Sequence, residues 1–585
     1  MIRGCRARIP RVLQSVASVK SGYAGIPVLG CGHGGSSQKS QYSSGQNHHN
    51  NSYWSSLGLG LVIGTSGLAY FMHRDENVAH CGSSDHWRSK INPPVLTSQQ
   101  AASNESQGDE EVADEAEEEV VAQFPTHVPY LIIGAGTAAM AAYKTIRGKQ
   151  SNAKVLLVGA EEYRPYMRPP LSKDMWFTER SLAQENKFNL RSGGQKSIFY
   201  DEESYYCQPS ELATRDKGGV AVATGMKVVK LDAEKKKATL SDGTEVSYDR
   251  CLIATGGKPK NLRCLEKGGS QVMDKVTLFR GIDDFRKLDQ VTDSKKSVII
   301  IGGGFLGSEL ASCLGKKIAM NGLSVTQVIP QSGVMGRILP EYLSIWATNK
   351  LRAKRVTVKA GVRVEQSRLS DDGTEVEVLL SDGSELSAEH ILVAVGIEPN
   401  TELAESAGLE VDDTLGGFLV NAELEAATDI WVAGDAACFY DVKFGRRRVE
   451  HHEHAAASGR LAGDNMTGAS KKFLHQSMFW SGLGPDVAFE AVGLVDSQLP
   501  TVSVFAKTKM SDGSAETSSQ TNDYAKGVIF YMKEKQVVGV VCWNMFNKIE
   551  VARKLIKEGA EHDDLSELAK MFDLPEGSFD HSSSR

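Results

Sequence analysis

Two stretches of the 585-residue chain carry one pattern of apolar and small residues. In the first, Tyr130 to Ile133 is an unbroken apolar run, Gly134 to Ala139 is built of small residues, and an Ala-rich segment precedes a second apolar run at Lys154 to Val158. In the second, Ser297 to Leu310 reads SVIIIGGGFLGSEL, with Ser324 to Ile329 after it. Short continuous apolar runs bounded by glycine predict buried strands, each turning into a helix. A further apolar run, Cys251 to Gly257, reads as a strand ending at a glycine turn, and the runs Ile391 to Asn400 and Thr428 to Ala436 follow the second pattern. Beyond Met478 a small α/β unit is expected, with strands at Lys526 to Tyr531 and Val537 to Trp543 and a helix at Val551 to Gly559. Near the start, Ser55 to Met72 has no charged residue. A run of about 18 such residues can just cross a hydrocarbon core of roughly 30 Å, and Trp54 and Arg74 stand where a spanning helix has its interfacial anchors. Its Ser and Gly content keeps a low-complexity linker as the alternative.

Charge adds an N-terminal address. Residues 1–74 contain no Asp or Glu but carry Arg3, Arg6, Arg8, Arg11, Lys20, Lys39 and Arg74, the composition of a mitochondrial presequence and not of a secretory signal. Glu105 to Glu119 is acidic without a single basic residue and reads as a solvated linker. From Val120 onward, 57 Lys and Arg against 61 Asp and Glu give a formal charge of -4, which is not the footprint of a nucleic-acid binder. The expected organisation is a presequence and low-complexity region (1–53), a transmembrane anchor (54–73), an acidic linker (74–122), a first glycine-turned domain in two parts (123–262 and 397–477) around a second (263–396), which the resemblance given below makes the FAD-binding and NAD-binding domains, and a C-terminal domain (478–585). None of the cysteines forms C-x-x-C or C-x4-C, which disfavours a dithiol-relay disulfide reductase and structural zinc.

The candidate chemistry lies in the glycine turns. Gly134 allows a tight turn, Gly136 lets backbone approach a pyrophosphate, and Thr137 and Ala138 begin a helix whose N-terminus stabilises phosphate charge. A carboxylate after the second strand should take the ribose hydroxyls; Ala160 occupies the usual place, so Glu161 is the candidate. The second unit repeats the turn with Gly302, Gly304 and Gly307, but its second strand ends in Pro330-Gln331 in place of an acid. Two nested units with CLIATGG between them, and ILVAVGIEPN and then TDIWVAGDA after the second, resemble two-dinucleotide flavin reductases, in which the Asp of the last run, Asp435, meets the ribityl chain of FAD. The fold class is therefore α/β: two nested Rossmann-like domains of glutathione-reductase type plus a C-terminal α/β domain.

Longer motifs narrow this. PYMRPPLSK (Pro165 to Lys173), Phe305 to Glu309, GDAACFY (Gly434 to Tyr440), GRRRVEHHEH (Gly445 to His454) and HQSMFWSGLGPD (His475 to Asp486) resemble the mitochondrial apoptosis-inducing factor family of FAD-dependent oxidoreductases. The resemblance implies non-covalent FAD reduced by NADH, with NADPH left open by Gln331. It implies a Lys173–Glu309 pair near the reactive ring edge, and His451 beside it with Glu450. Arg168, Arg280, Val228 and Asp435 match its FAD contacts, Phe305 and Trp480 bracket the rings, and Gly304, Phe305, Leu306, Arg337, Gly396, Glu490 and Asn547 match its nicotinamide-nucleotide contacts. It further implies an anchor in the inner membrane facing the intermembrane space, support of respiratory-chain assembly, and caspase-independent apoptosis with chromatin condensation after release. The competing reading it offers is a redox-gated tether for a cysteine-rich import oxidoreductase. Departures from the pattern are Arg191 in place of a Trp, Gln331 in place of an acid, and Leu419 and Ala427 in place of arginines of an NADH-linked homodimer surface; Met510 to Asp523 is a short, Ser-rich loop.

Overall fold

The computed structural model describes residues 123–190, 192–506, 524–574 and 579–582. The expected presequence, anchor and acidic linker, Arg191, and the loop Met510 to Asp523 lie outside the described residues. Among the described residues no helix is long and apolar enough to cross a membrane.

The apolar run at Tyr130 is the core of strand β1 (His127–Ile133), which enters helix α1 (Thr137–Lys149) and returns as β2 (Lys154–Val158). Strands β3 (Gly219–Ala223) and β4 (Glu245–Ile253) complete the first half of a sheet. β1 lies parallel between β4 and β2, so Leu131 faces Cys251 on one side and Leu156 on the other, all three fully buried. Each such Leu contributes roughly 1.5–3 kcal/mol by leaving water, which explains the absence of polar alternation in β1 and β2.

The second unit repeats the plan. Its strands are β5 (Val276–Leu278), β6 (Ser297–Ile301), β7 (Ser324–Ile329), β8 (Thr357–Ala360) and β9 (His390–Val393), all parallel in the order β5-β9-β6-β7-β8, with helix α2 (Phe305–Asn321) following β6. The run Ile391 to Asn400 spans two strands. After Val393 the chain turns at Gly396 (φ +109°), and Ile397–Pro399 pairs antiparallel with Gly257–Pro259, joining the two crossings between the nested units.

The chain then rejoins the first sheet as β10 (Ile430–Val432), parallel to β4, and continues into helix α3 (His452–Met466). A third, antiparallel sheet is formed by β11 (Met478–Gly482), β12 (Ala488–Gly493), β13 (Thr501–Phe505), β14 (Gly527–Lys533), β15 (Gln536–Trp543) and β16 (Phe579–Ser582), ordered β11-β12-β15-β14-β13-β16. Helix α4 (Ile549–Glu558) follows β15, so both expected strands and the expected helix are present within two residues. This sheet shares a core with the second unit. Phe489, Tyr531 and Trp543 pack with Leu310, Val334 and Leu343, and Tyr531 donates to the Ile338 carbonyl at 2.6 Å.

Candidate functional site

Both glycine turns face one cleft. Gly134 has φ +114°, and a Cβ there would lie 2.2 Å from the Ala254 carbonyl oxygen; Gly302 has φ +125° and the same 2.2 Å approach to Ala394. Each turn is thus wedged against the end of the neighbouring strand, where only glycine fits. At Gly136 and Gly304 the opposite holds: an added Cβ would meet nothing within 4 Å. Bare backbone at two helix N-termini therefore opens onto free space, the geometry that admits a pyrophosphate.

The cleft encloses about 840 Å³, within the roughly 300–1,000 Å³ usual for cofactor sites. It is lined by Gly134, Gly136, Thr137, Ala138, Glu161, Arg168, Lys173, Val228, Arg280, Gly304, Phe305, Leu306, Glu309, Gly396, Asp435, Glu450, His451 and Trp480. Three expected residues stand outside this lining. Glu490 lies opposite Trp480 on β12, 5% exposed, and burial pushes its carboxyl up to about 7 although the Asn547 backbone N–H, then Arg553, opposes the shift. Arg337 is exposed in the loop after β7.

Charge in the cleft is arranged in pairs. Lys173 Nζ donates to Glu309 Oε2 at 2.6 Å, and Glu309, 3% exposed, also accepts from the hydroxyls of Ser172 (2.6 Å) and Ser481 (2.7 Å). This pair joins the first unit to α2, and Ser481 ties the third sheet to the same carboxylate. Arg280 donates to Asp435 at 2.8 Å, in the turn after β10. Glu161 holds Arg168 and the Tyr166 hydroxyl, each at 2.5 Å, and Arg168 donates in turn to the Tyr166 oxygen at 2.7 Å. Burial alone would raise the Glu161 carboxyl, but the Arg168 charge and these hydrogen bonds outweigh it and hold it below the usual range. Glu450 pairs with Arg448 at 2.5 Å, yet burial dominates and its carboxyl is raised.

Sequence reasoning missed part of the aromatic wall. His451 stacks on Phe479 at 4.5 Å and 19°, and Phe305 packs against both. Alternation along β11 puts Phe479 and Trp480 on opposite faces, and it is Phe479, not Trp480, that meets His451 and Phe305. Trp480 instead packs edge-on to His452, whose Nδ1 is 3.4 Å from the Thr137 hydroxyl. Burial holds His451 and His452 each down to about 4, neutral at physiological pH. The second histidine of the HH pair was the available signal for this role; Tyr166, Ser172 and Ser481 gave none, because their importance lies only in which carboxylate they reach.

Two glycine-turned units sharing a cleft, with a lysine–glutamate pair and an aromatic wall where they meet, define an NAD(P)H-dependent oxidoreductase that carries FAD. The residues fit that cofactor: two open phosphate cradles, and an ion pair and aromatic faces between them. Comparison with known sequences agrees. Residues 128–459 match the family described as pyridine nucleotide-disulphide oxidoreductase, and residues 462–519 and 508–558 match the C-terminal region described as apoptosis-inducing factor, mitochondrion-associated. The chain belongs to the pyridine nucleotide-disulphide oxidoreductase family, and its C-terminal region is of the apoptosis-inducing factor type. It is 44% identical over 489 residues to the putative apoptosis-inducing factor 1, mitochondrial, of Drosophila melanogaster, across 77% of this chain and 66% of that protein. Apoptosis-inducing factor 1, mitochondrial, of Dictyostelium discoideum is 35% identical over 548 residues, across 92% and 96%. Among solved structures, the ferredoxin reductase of the CYP199A2 system from Rhodopseudomonas palustris is similar, with a TM-score of 0.60 at 25% identity, covering 76% of this chain and all of that one. Despite the family description, all six described cysteines are free. Cys313, whose thiol is 3.3 Å from the Ser172 carbonyl, is buried, and burial and then Glu309 push its pKa up, away from thiolate chemistry.

Proposed function

We propose that the protein is a mitochondrial NADH-oxidising flavoprotein in which Lys173 and Glu309 tune the reactive edge of the ring. The observation that carries this is the 2.6 Å pair formed by a lysine of the first unit and a buried glutamate of the second, at the seam of the cleft. FAD, when bound, supplies a ring that accepts a hydride from the nicotinamide and passes electrons onward. An ammonium at that edge stabilises the negative charge that reduction brings, and the carboxylate with its two serine donors keeps the lysine from wandering. Arg168 and Arg280 supply cationic donors toward the cofactor's phosphates, while neutral His451 and the Phe305 and Phe479 rings exclude water beside the nicotinamide position. With no paired thiols among the described cysteines, electrons leave to an external acceptor such as a quinone or oxygen. An anaerobic titration tests this: purified protein should be yellow and should bleach on addition of NADH. Colourless protein that stays so when given FAD would end the proposal.

The acid-free, Arg-rich start and the uncharged Ser55 to Met72 run support import into mitochondria and an inner-membrane anchor that leaves the body in the intermembrane space. Extraction of the full-length protein from mitochondria by carbonate would refute the anchor. The apoptosis-inducing factor names of the relatives support a role in apoptosis; nuclear chromatin condensation after release, and respiratory-chain assembly before it, rest on the motif resemblance. Loss of the chain should then lower assembled respiratory complexes, and intact complexes in a null cell would count against that role.

A further inference from the structure

We infer that the second nucleotide site holds the 2′-phosphate of NADPH, and binds it more tightly than the free ribose of NADH, through Gln331, Ser332 and Arg337. This rests on the reading that a nicotinamide dinucleotide docks on the Gly302–Gly304 turn. In a βαβ nucleotide site the end of the second strand decides the matter: a carboxylate there bonds the ribose hydroxyls and repels a phosphate, whereas neutral and cationic donors accept one. The molecule contains its own contrast. After β2 the first unit presents Glu161, whereas the second reads VIPQSGVMGR from Val328 to Arg337, with no carboxylate.

The structure brings this run to the glycine turn. The Met335 N–H donates to the Gly303 carbonyl at 2.6 Å, so the loop folds back over the turn. A Cβ on Gly336 would lie 2.8 Å from Gln331 Cβ, which puts Arg337 one residue from direct packing on Gln331. Ser497 fixes the loop from outside, with its N–H on the Arg337 carbonyl at 3.0 Å and its hydroxyl on the Gly336 carbonyl at 2.7 Å. The Gln331 carbonyl is itself taken by the Gly361 N–H at 2.9 Å. Both Ser332 and Arg337 are exposed. An amide, a hydroxyl and a guanidinium are a donor set suited to phosphate oxygens.

Isothermal titration of the flavin-loaded protein with 2′,5′-ADP and with AMP isolates the adenosine end from the redox chemistry. The expected result is about ten-fold tighter binding of 2′,5′-ADP, the size of one added charge-assisted contact. Gln331→Glu should erase that preference and Arg337→Ala should reduce it, with flavin absorbance and circular dichroism of each variant as the control for folding. Equal or weaker binding of 2′,5′-ADP by the natural chain, or a preference that survives Gln331→Glu, overturns the inference. Anaerobic bleaching by NADH is measured alongside. Its failure removes the docking reading itself, whereas bleaching by NADH with no preference for 2′,5′-ADP removes the 2′-phosphate inference alone.

Discussion

Cutting the Lys173–Glu309 pair from one side separates its structural role from its electronic one. Lys173→Met keeps the aliphatic stem and removes the charge, leaving Glu309 at 3% exposure with only the Ser172 and Ser481 hydroxyls. Removing one partner of a buried pair costs about 3–5 kcal/mol. Here the Lys173 side chain is 23% exposed and two of three donors remain, so loss of one charge-assisted hydrogen bond, about 2 kcal/mol, is the better figure. Glu309→Gln keeps an acceptor for Lys173, whose ammonium also reaches solvent, and should cost about 1 kcal/mol. The double variant should then lose less than the two singles together, with a coupling of about 1 kcal/mol or more. Urea unfolding followed by tryptophan fluorescence measures all four proteins, and spectroelectrochemistry gives the flavin potential of each. The potential of Lys173→Met should fall, because the negative charge of the reduced ring loses its cation. Strict additivity would show that the two side chains do not act as a pair, and an unchanged potential in Lys173→Met would take the lysine out of the redox site.

Gly136→Ala should fold, since its Cβ meets nothing within 4 Å, yet be purified without flavin; Gly304→Ala should stay yellow and lose reduction by NADH. Absorption spectra of the two variants check this, and a yellow Gly136→Ala protein would contradict the first cradle. Glu490, raised to about 7 by burial, binds a proton in the folded chain that the unfolded chain has already released above the ordinary Glu range. Its contribution to stability is therefore lost as pH rises from about 4.5 to about 7, by up to roughly 3 kcal/mol, so Glu490→Gln should stabilise at pH 8 and be neutral at pH 4.5. Urea midpoints at the two pH values decide it. His390, His451 and His452, each held down to about 4 by burial, and His454 near 3, act in the other direction. Between pH 6.5 and 4 the unfolded chain binds protons that these folded side chains refuse, so stability should fall on acidification through that window. NMR titration that finds any of them charged at pH 6 would contradict their burial.

What the sequence made legible follows from how local each constraint is. Gly134 and Gly302 could be read because a turn that tight is a property of a few consecutive backbones, and the strands beside them because burial on both faces leaves an unbroken apolar run. The C-terminal strands and helix were readable for the same reason, within two residues. The run Ile391 to Asn400 said less, because its apolar continuity conceals the turn at Gly396 through which the chain changes partner from one unit to the other. Side-chain partnerships were legible only where a long motif carried them. Lys173 and Glu309 are far apart in sequence, and nothing local says that Ser172 and Ser481 converge on the same carboxylate.

The aromatic pair on β11 makes the point. Phe479 and Trp480 are adjacent and both line the cleft, but the pleat turns them to opposite faces, so Phe479 meets His451 and Phe305 while Trp480 meets His452. Glu161, read from its position after β2 as the carboxylate for the ribose hydroxyls, lines the cleft, but both of its oxygens are committed to Arg168 and Tyr166. A ribose bound there as proposed would share the carboxylate with the Arg168 guanidinium, which itself donates to the Arg280 carbonyl at 3.2 Å, so the same chain of contacts would reach the segment that carries the Asp435 partner.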